Sequence, residues 1–370
     1  QKLPLAIVAD ILGTSKKVVN SWSENKLKPI IDQKTGKKFF LLDELRSFPS
    51  ASFLFDTKWD EEERIKPQRN YKIIELFAGA GGLALGLEKA GFESLLLNEI
   101  DRDACETLKK NRVNWNVKNC DIKDYDFTKF KGKVDLLTGG FPCQAFSYAG
   151  KKLGFNDTRG TLFYEFARAI KETNPKVILA ENVKGLVSHD SGKTLETIRD
   201  IIDEIGYELV EPKVLKAIFY KVPQKRERIF LVAIRKDLSR FVSFNYPAKF
   251  PKIFTLKDAL KKGDLFNKDV PKTEGQIYPQ RKKEILSKVP QGGYWRDLPD
   301  NLQREYMRGS YFLGGGKTGL ARRLSWDEPS LTLTCAPAQK QTERCHPNET
   351  RPLTFREYAR IQTFPDEWLF

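Results

Sequence analysis

Cys143 lies in the run Gly139-Gly140-Phe141-Pro142-Cys143-Gln144, directly after a short apolar stretch, Val134 to Thr138, that reads as a strand. A thiol at the carboxyl end of a strand sits where open α/β sheets put their ligand crevice, and as a thiolate it is a candidate nucleophile. An isolated cysteine is more often an inert small hydrophobe. What sets this one apart is Leu179-Ala180-Glu181-Asn182-Val183 at the end of the following strand, which delivers the Glu181 carboxylate to the same edge. Arg226 and Arg228, in Pro223-Gln224-Lys225-Arg226-Glu227-Arg228, occupy alternate positions and point to one face of an extended segment. Upstream, Ile73 to Phe77 runs into Ala78-Gly79-Ala80-Gly81-Gly82 and then a helix, the context in which a glycine loop lets a ligand approach backbone. Glu99 ends the next strand, suited to accept hydrogen bonds from ribose hydroxyls, and Asp121 stands where a third strand should end. The set fits a nucleoside cofactor without separating a dinucleotide from S-adenosylmethionine.

Holding these groups together requires a sheet. From Tyr71, apolar strands (72–77, 94–98, 134–138, 177–180, 229–234) alternate with amphipathic helices (84–90, 104–111, 161–173, 194–205). This predicts an α/β fold over 71–240, a doubly wound, mostly parallel sheet with helices on both faces. Before it, 1–48 reads as a helix-turn-helix. Leu5, Ile7, Val8, Ile11 and Leu12 form one apolar face, Gly13-Thr14-Ser15 a turn, and Val18, Val19 and Trp22 a second face. A hairpin or wing over Lys26 to Phe40 and a helix over Leu41 to Phe48 complete a pattern resembling small winged DNA-binding domains of the MerR and excisionase type. Residues 49–70 have linker composition. Over 241–320 the periodicity dissolves into Lys, Pro, Gly and aromatic residues, predicting a smaller irregular domain, and 321–370 returns to the main domain.

Composition narrows the partners. The 64 Lys+Arg against 49 Asp+Glu leave a formal charge of +15 over 370 residues, which favours a polyanion. No apolar run approaches the roughly 20 residues of a membrane span, and no secretory leader is visible. Five cysteines without a CxxC pair point to a reducing cytoplasm. Cys335, Cys345 and His346 are the only clustered metal-ligand types, and their spacing is poor for zinc, so no metal is expected.

Taken in order, Phe77-Ala78-Gly79-Ala80-Gly81-Gly82, Gly140-Phe141-Pro142-Cys143-Gln144, Glu181-Asn182-Val183, Gln224 to Arg228 and Arg323-Leu324-Ser325-Trp326-Asp327-Glu328-Pro329 resemble the DNA cytosine-5 methyltransferases of bacterial modification systems, over roughly 71–366. The resemblance implies a Rossmann-like methyltransferase domain, S-adenosylmethionine as cofactor with S-adenosylhomocysteine as product, and duplex DNA as substrate. It implies Cys143 adding as thiolate to carbon 6 of cytosine, with Gln144 beside it in the catalytic set. Glu181 acts as general acid at N3, and Arg226 and Arg228 steady the base carbonyl and catalytic groups, Arg228 at O2. The cofactor would contact Phe77, Gly79, Gly81, Glu99, Ile100, Asp121, Pro142 and Leu162. The base must flip out of the stack, with Ala145 to Arg159 as the loop that closes over it.

By the same resemblance the stretch after Arg228, with Gln291-Gly292-Gly293-Tyr294-Trp295-Arg296 and the glycine run Leu313 to Lys317, reads the DNA sequence. A cognate restriction endonuclease, action as a monomer on DNA and a cytoplasmic, nucleoid-associated location in a bacterium are further implications. The family's final Gly-Asn helix, covering the cofactor, is expected after Phe364-Pro365-Asp366, in the rest of the polypeptide or on a separate chain. Arg344, Cys345 and His346 fit either a DNA contact or a structural role. Two rivals remain: a DNA-binding regulator without catalysis, and methylation of RNA, since a tRNA branch shares similar motifs.

Overall fold

The computed structural model describes residues 2–22, 26–33, 36–142, 161–313, 319–335 and 338–370. They form two units: Gln1–Arg64, Lys216–Arg226 and Pro247–Asp366 in the first, and Ile65–Leu215, Glu227–Tyr246 and Glu367–Phe370 in the second.

The first unit begins with β1 (Lys2–Pro4), α1 (Leu5–Leu12), α2 (Lys16–Trp22), β2 (Ile30–Ile31) and β3 (Lys38–Leu41). Gly13, at φ 66, closes α1 in the left-handed conformation that glycine adopts without a Cβ penalty. α1 buries Ala6, Ile7, Val8, Ala9 and Ile11, whereas α2 buries only Val19. The strands pair antiparallel in the order β1-β3-β2. The pairing of β1 is a feature that three residues of sequence did not signal, and the helix expected over Leu41 to Phe48 is a 3-10 helix over Leu42–Ser47. Leu3, Ile7, Val8, Phe40 and Leu45 share one core with Ile218, Phe219 and Ile253. Apolar contact between segments far apart in sequence, which composition does not register, therefore sets the extent of this unit. Later come a short α3 (Trp59–Glu63) and, across 241–320, irregular chain carrying α9 (Leu256–Leu260), α10 (Gln280–Ser287) and α11 (Asp300–Met307), with no strand among the described residues there.

The second unit holds β4 (Tyr71–Leu76), α4 (Gly82–Lys89), β5 (Phe92–Glu99), α5 (Arg102–Asn111), β6 (Val117–Asn119), β7 (Leu136–Gly139), α6 (Leu162–Thr173), β8 (Val177–Val183), α7 (Lys193–Glu204), β9 (Tyr207–Leu209), β10 (Lys213–Lys216), β12 (Glu227–Arg235) and α8 (Lys236–Ser239). The sheet order is β10-β12-β8-β7-β4-β5-β6, with β9 also on β12. β6, β5, β4, β7 and β8 run parallel, and β12 is antiparallel to both β8 and β9. Both faces are covered. Ile74 and Leu76 of β4 pack into a cluster with Phe163, Phe166 and Ile170 of α6 and Ile198 and Ile201 of α7, while Ile73 packs with Leu87 of α4 on the other side. Alternation along a strand sends successive side chains to opposite faces, so one apolar strand serves two layers. Among the described residues no helix is long and apolar enough to cross a membrane.

Two strands complete the first unit, β11 (Gln224–Lys225) and β13 (Ser330–Leu331), paired in parallel. They lead towards α12 (Phe355–Ile361), whose capping box joins Thr354 to Glu357. Arg323, from the fifth sequence motif, is 4% exposed. Its guanidinium donates to the carbonyls of Val289 and Leu286 at 2.8 Å each and to Thr350 Oγ1 at 2.8 Å. A buried guanidinium with its donors met by carbonyls and a hydroxyl ties its own segment to the end of α10 and to the loop at Thr350, which is a structural use of that motif.

Candidate active site

β4 pairs with β5 on one side and β7 on the other, so the winding reverses between β4 and β7 and a crevice opens outside their carboxyl ends. The glycine loop leaves β4 there. Phe77 (φ 58), Gly79 (φ 53) and Gly81 (φ 88) all take left-handed backbone, at Phe77 against the usual steric preference. The turn is held by Ala78 N–H donating to Asn98 O (3.1 Å) and Gly81 N–H to Ala78 O (3.1 Å). A Cβ at Gly79 would meet nothing within 4 Å, so the loop presents open space at that point. At Gly81 a Cβ would lie 2.7 Å from Leu108 Cδ2 and 3.0 Å from Trp368 Cζ2, so this glycine is required by packing behind the loop.

Glu99 ends β5 and binds that loop directly. Its Oε2 accepts from Gly79 N–H at 2.7 Å, and its Oε1 from Ile100 and Asp101 N–H at 2.8 and 2.9 Å. A carboxylate has about four lone-pair positions, so one is left for a ligand hydroxyl. Ile100 is 67% exposed beside it. Asn119, at the end of β6, donates to the carbonyls of Glu99 (3.2 Å) and Ile100 (2.8 Å), and Asp121 caps the turn that follows with Oδ1 on Lys123 N–H (3.0 Å). Pro142 is exposed after β7. Leu162 and Phe77, both half-buried, border the same apolar cluster. The strand ends thus set Phe77, Glu99, Asp121 and Pro142 along one edge.

On the other half of that edge stands Glu181, in β8. Antiparallel pairing sets Phe230 opposite Glu181 and Arg228 opposite Val183, so Arg228 is the diagonal neighbour on the Glu181 face. Its Nε lies 2.8 Å from Glu181 Oε1, with both side chains about one-fifth to one-quarter exposed. Its Nη1 donates to the Glu227 carbonyl at 2.9 Å. A Cβ at Gly140 would come within 3.3 Å of Glu181 Oε2, so glycine there leaves that oxygen room. Arg226 falls in the first unit, where its backbone N–H donates to Gln224 O and its carbonyl accepts from Ala217 N–H. Cys143, Gln144, the whole Ala145 to Arg159 loop and Gly314 to Lys317 lie outside the described residues.

Two residues to which the sequence reading gave no role of their own belong to this edge. Asn182 donates from Nδ2 to Phe141 O at 3.0 Å and accepts Val183 N–H at 2.8 Å, tying β8 to the segment that leads to Cys143. An amide directly after Glu181, at the end of an apolar run of strand, is its sequence signal. Glu75, in β4 just before the loop, is 2% exposed, and its Oε2 has no hydrogen-bond partner among the described residues. Burial, with the Glu99 charge adding, pushes its carboxyl up to about 8. A carboxyl raised this way stays protonated in the folded chain while its unfolded counterpart ionises near pH 4.5. Stability therefore falls as pH rises from about 4.5 to about 8, by at most about 1.4 kcal/mol per pH unit. Urea midpoints across pH 5 to 8 check this, and Glu75→Gln is expected to flatten the slope.

Other candidates take structural places. Trp295, from the expected sequence-reading stretch, is 6% exposed in a core with Tyr278, Leu298 and Tyr306. Arg344 is buried and donates to the Glu343 and Thr332 carbonyls at 2.7 Å each, and Cys345 is buried. His346 Nδ1 accepts from Asn348 and Glu349 N–H, its ring edge-on to Trp326, and burial lowers its pKa. Cys335 is exposed. Among the described residues no three His, Cys, Asp or Glu side chains are grouped to hold a metal ion.

Comparison with known proteins agrees with this architecture. Residues 71–370 match the family model of the C-5 cytosine-specific DNA methylases. The chain is 64% identical over 371 residues to the type II methyltransferase M.Eco47II of Escherichia coli, covering all of this chain and 89% of that protein. It is 60% identical to M.PspPI of Psychrobacter, covering 99% of this chain and 88% of the relative. Among solved structures, the Dnmt2 methyltransferase of S. pombe superposes with a TM-score of 0.53 at 19% identity, over 81% of this chain and 89% of that one, a likeness of fold. With the family model spanning the whole sheet and the crevice at its edge, the chain belongs to the C-5 cytosine-specific DNA methylases.

Proposed function

We propose that the chain methylates carbon 5 of a cytosine within a specific duplex DNA sequence, with S-adenosylmethionine as methyl donor. The observation that carries this reading is the Glu181–Arg228 pair at 2.8 Å, on the same sheet edge as the glycine loop and the segment entering Cys143. Open space at Gly79 and the remaining acceptor position of Glu99 fit a nucleoside bearing hydroxyls. Phe77, Gly79, Glu99, Ile100, Asp121, Pro142 and Leu162 would line its site, with Gly81 setting the loop from behind. The cofactor, when bound, supplies an electrophilic methyl group.

The chain's own residues then solve the difficulty that carbon 5 of cytosine is a poor nucleophile. Cys143, as thiolate, forms a bond to carbon 6 of the extruded base, and electron density moves into the ring towards N3. Glu181 delivers a proton at N3, so the added electron pair becomes an enamine able to attack from carbon 5. Arg228 orients Glu181 through Nε and carries further guanidinium donors for the base carbonyl, with Arg226 and Gln144 completing the set. Once the methyl group is transferred, the carbon 5 proton passes to water acting as base, the C6–S bond breaks to release the Cys143 thiolate, and the N3 proton returns to Glu181, which restores the aromatic ring and the starting carboxyl.

The irregular chain over 241–320 is read as the part that recognises sequence, and 1–48 as a winged helix-turn-helix that adds a DNA contact. Protection against a cognate restriction endonuclease, action as a monomer and a cytoplasmic location complete the proposal. Competition tests the substrate class. With the full-length gene product, tRNA in tenfold excess is expected to leave methyl transfer to unmethylated duplex DNA undiminished, as read by nucleoside mass spectrometry. Methylated tRNA with unmodified DNA would overturn the proposal.

A further inference from the structure

Glu367–Phe370 belong to the second unit, and Trp368 is among its largest fully buried side chains, at 1% exposure. Its ring lies 6.1 Å from that of Trp115 at an interplanar angle of 54°. The Arg112 guanidinium sits 5.4 Å from the Trp368 ring and 5.7 Å from that of Trp115. Arg112 is in turn clamped by Glu88 of α4, with Nε at 2.9 Å from both carboxylate oxygens and Nη2 at 2.7 Å from Oε2. The neighbouring Leu369 is fixed by α5. Its N–H donates to Asn111 Oδ1 at 2.8 Å, and its carbonyl accepts from Asn111 Nδ2 at 2.6 Å.

This assembly backs onto the glycine loop. The edge of the Trp368 ring, Cζ2 and Cη2, would stand 3.0 and 3.4 Å from a Cβ at Gly81, beside Leu108 Cδ2 at 2.7 Å. Gly81 is the last loop residue before α4; its N–H donates to Ala78 O at 3.1 Å and its carbonyl accepts from Leu85 N–H at 2.9 Å, so a shift of Gly81 moves both the loop and the start of α4. A rigid indole has few rotamers to lose and a large contact area, so it is suited to fix the position of a backbone it touches. Its removal leaves a void behind a strained turn, and the turn can relax into it.

We infer that Trp368 is a positioning residue for the cofactor, holding the glycine loop at the height that ligand binding requires. The inference rests on the reading that this loop binds the cofactor. Trp368 does not touch the open side of the loop; it acts through Gly81. Its effect therefore falls on cofactor affinity, more than on the chemical step.

The test uses the full-length protein, wild type against Trp368→Ala and Trp368→Phe, with S-adenosylhomocysteine as the probe. Trp368→Ala is expected to raise the Kd from calorimetry tenfold or more. The KM for S-adenosylmethionine should rise in step, and kcat at saturating cofactor should change less than threefold. Trp368→Phe, which keeps a ring against Gly81, is expected to recover most of the affinity. Hydrogen exchange gives a reading independent of ligand: amides of 79–82 should lose protection in Trp368→Phe and further in Trp368→Ala, with β4 unchanged. If Trp368→Ala does not fold, the exchange and Kd of Trp368→Phe and Trp368→Leu decide. Variants that lose thermal stability while binding S-adenosylhomocysteine with wild-type Kd would overturn the inference. Wild-type protein that methylates DNA while Gly79→Val leaves its Kd unaltered would instead overturn the reading of the loop.

Discussion

Full-length protein carrying Cys143→Ala is expected to form no 5-methylcytosine in unmethylated genomic DNA, a loss of at least ~10⁴-fold relative to wild type. The size follows from the ring chemistry. Without addition at carbon 6 the carbon 5 position has no enamine character, so the remaining groups have no nucleophile to assist. A factor of ~10⁴ corresponds to about 5.5 kcal/mol of barrier. DNA binding should survive, because phosphate contacts from the basic surface do not involve this thiol. Nucleoside mass spectrometry with methylation-sensitive sequencing reads both aspects, the modification itself and the motif in which it occurs. Methylation by Cys143→Ala at a rate near wild type would remove the covalent mechanism. DNA bound but unmethylated by wild type as well would favour the regulator reading, with 1–48 as the place to look.

Glu181→Ala and Arg228→Ala are each expected to lower kcat by ~10²–10⁴-fold, and the double variant by little more than the worse single one. The geometry is the reason. Arg228 Nε and Glu181 Oε1 are 2.8 Å apart on diagonal positions of one strand pair, so removing either takes from the other the ion pair that orients it. Groups that act as a unit give strongly non-additive losses, and the double-mutant cycle measures that coupling. Glu181→Gln separates two contributions: it keeps a hydrogen-bonding side chain of the same length but cannot hand over a carboxyl proton. It should retain folding and remain at least ~10²-fold impaired. Full additivity of the two alanine variants, seen in single-turnover rates, would show that the pair does not work as one element.

The alternation of short apolar strands with amphipathic helices made the parallel part of the sheet legible, because period-2 and period-3.6 patterns are local properties of the chain. The same applies to the glycine loop, whose residue types announce left-handed backbone at Gly79 and Gly81. Phe77, also left-handed at φ 58, carries no such signal. Strand direction was less legible. β12 reads as an apolar strand like its neighbours, yet it pairs antiparallel with β8, and that direction is what sets Arg228 diagonally across from Glu181. Long-range pairing depends on how the chain returns, and no window of sequence contains it.

The distinction is sharpest at residues whose type suggests chemistry. The sequence by itself determined a net positive charge, an alternation of strands and helices that implies an open α/β sheet, and a thiol, a carboxylate and guanidinium groups in an order shared with the family. Tertiary structure decided which polar groups are spent within the fold. Arg323 is consumed by carbonyls, His346 by two backbone amides, Trp295 by a core, and Trp368 by the back of a loop more than two hundred residues away. Each of these would read equally well as a ligand contact in sequence. A buried polar group must find partners wherever the folded chain brings them, and those partners are defined by distance in space, which only the assembled sheet and its loops supply.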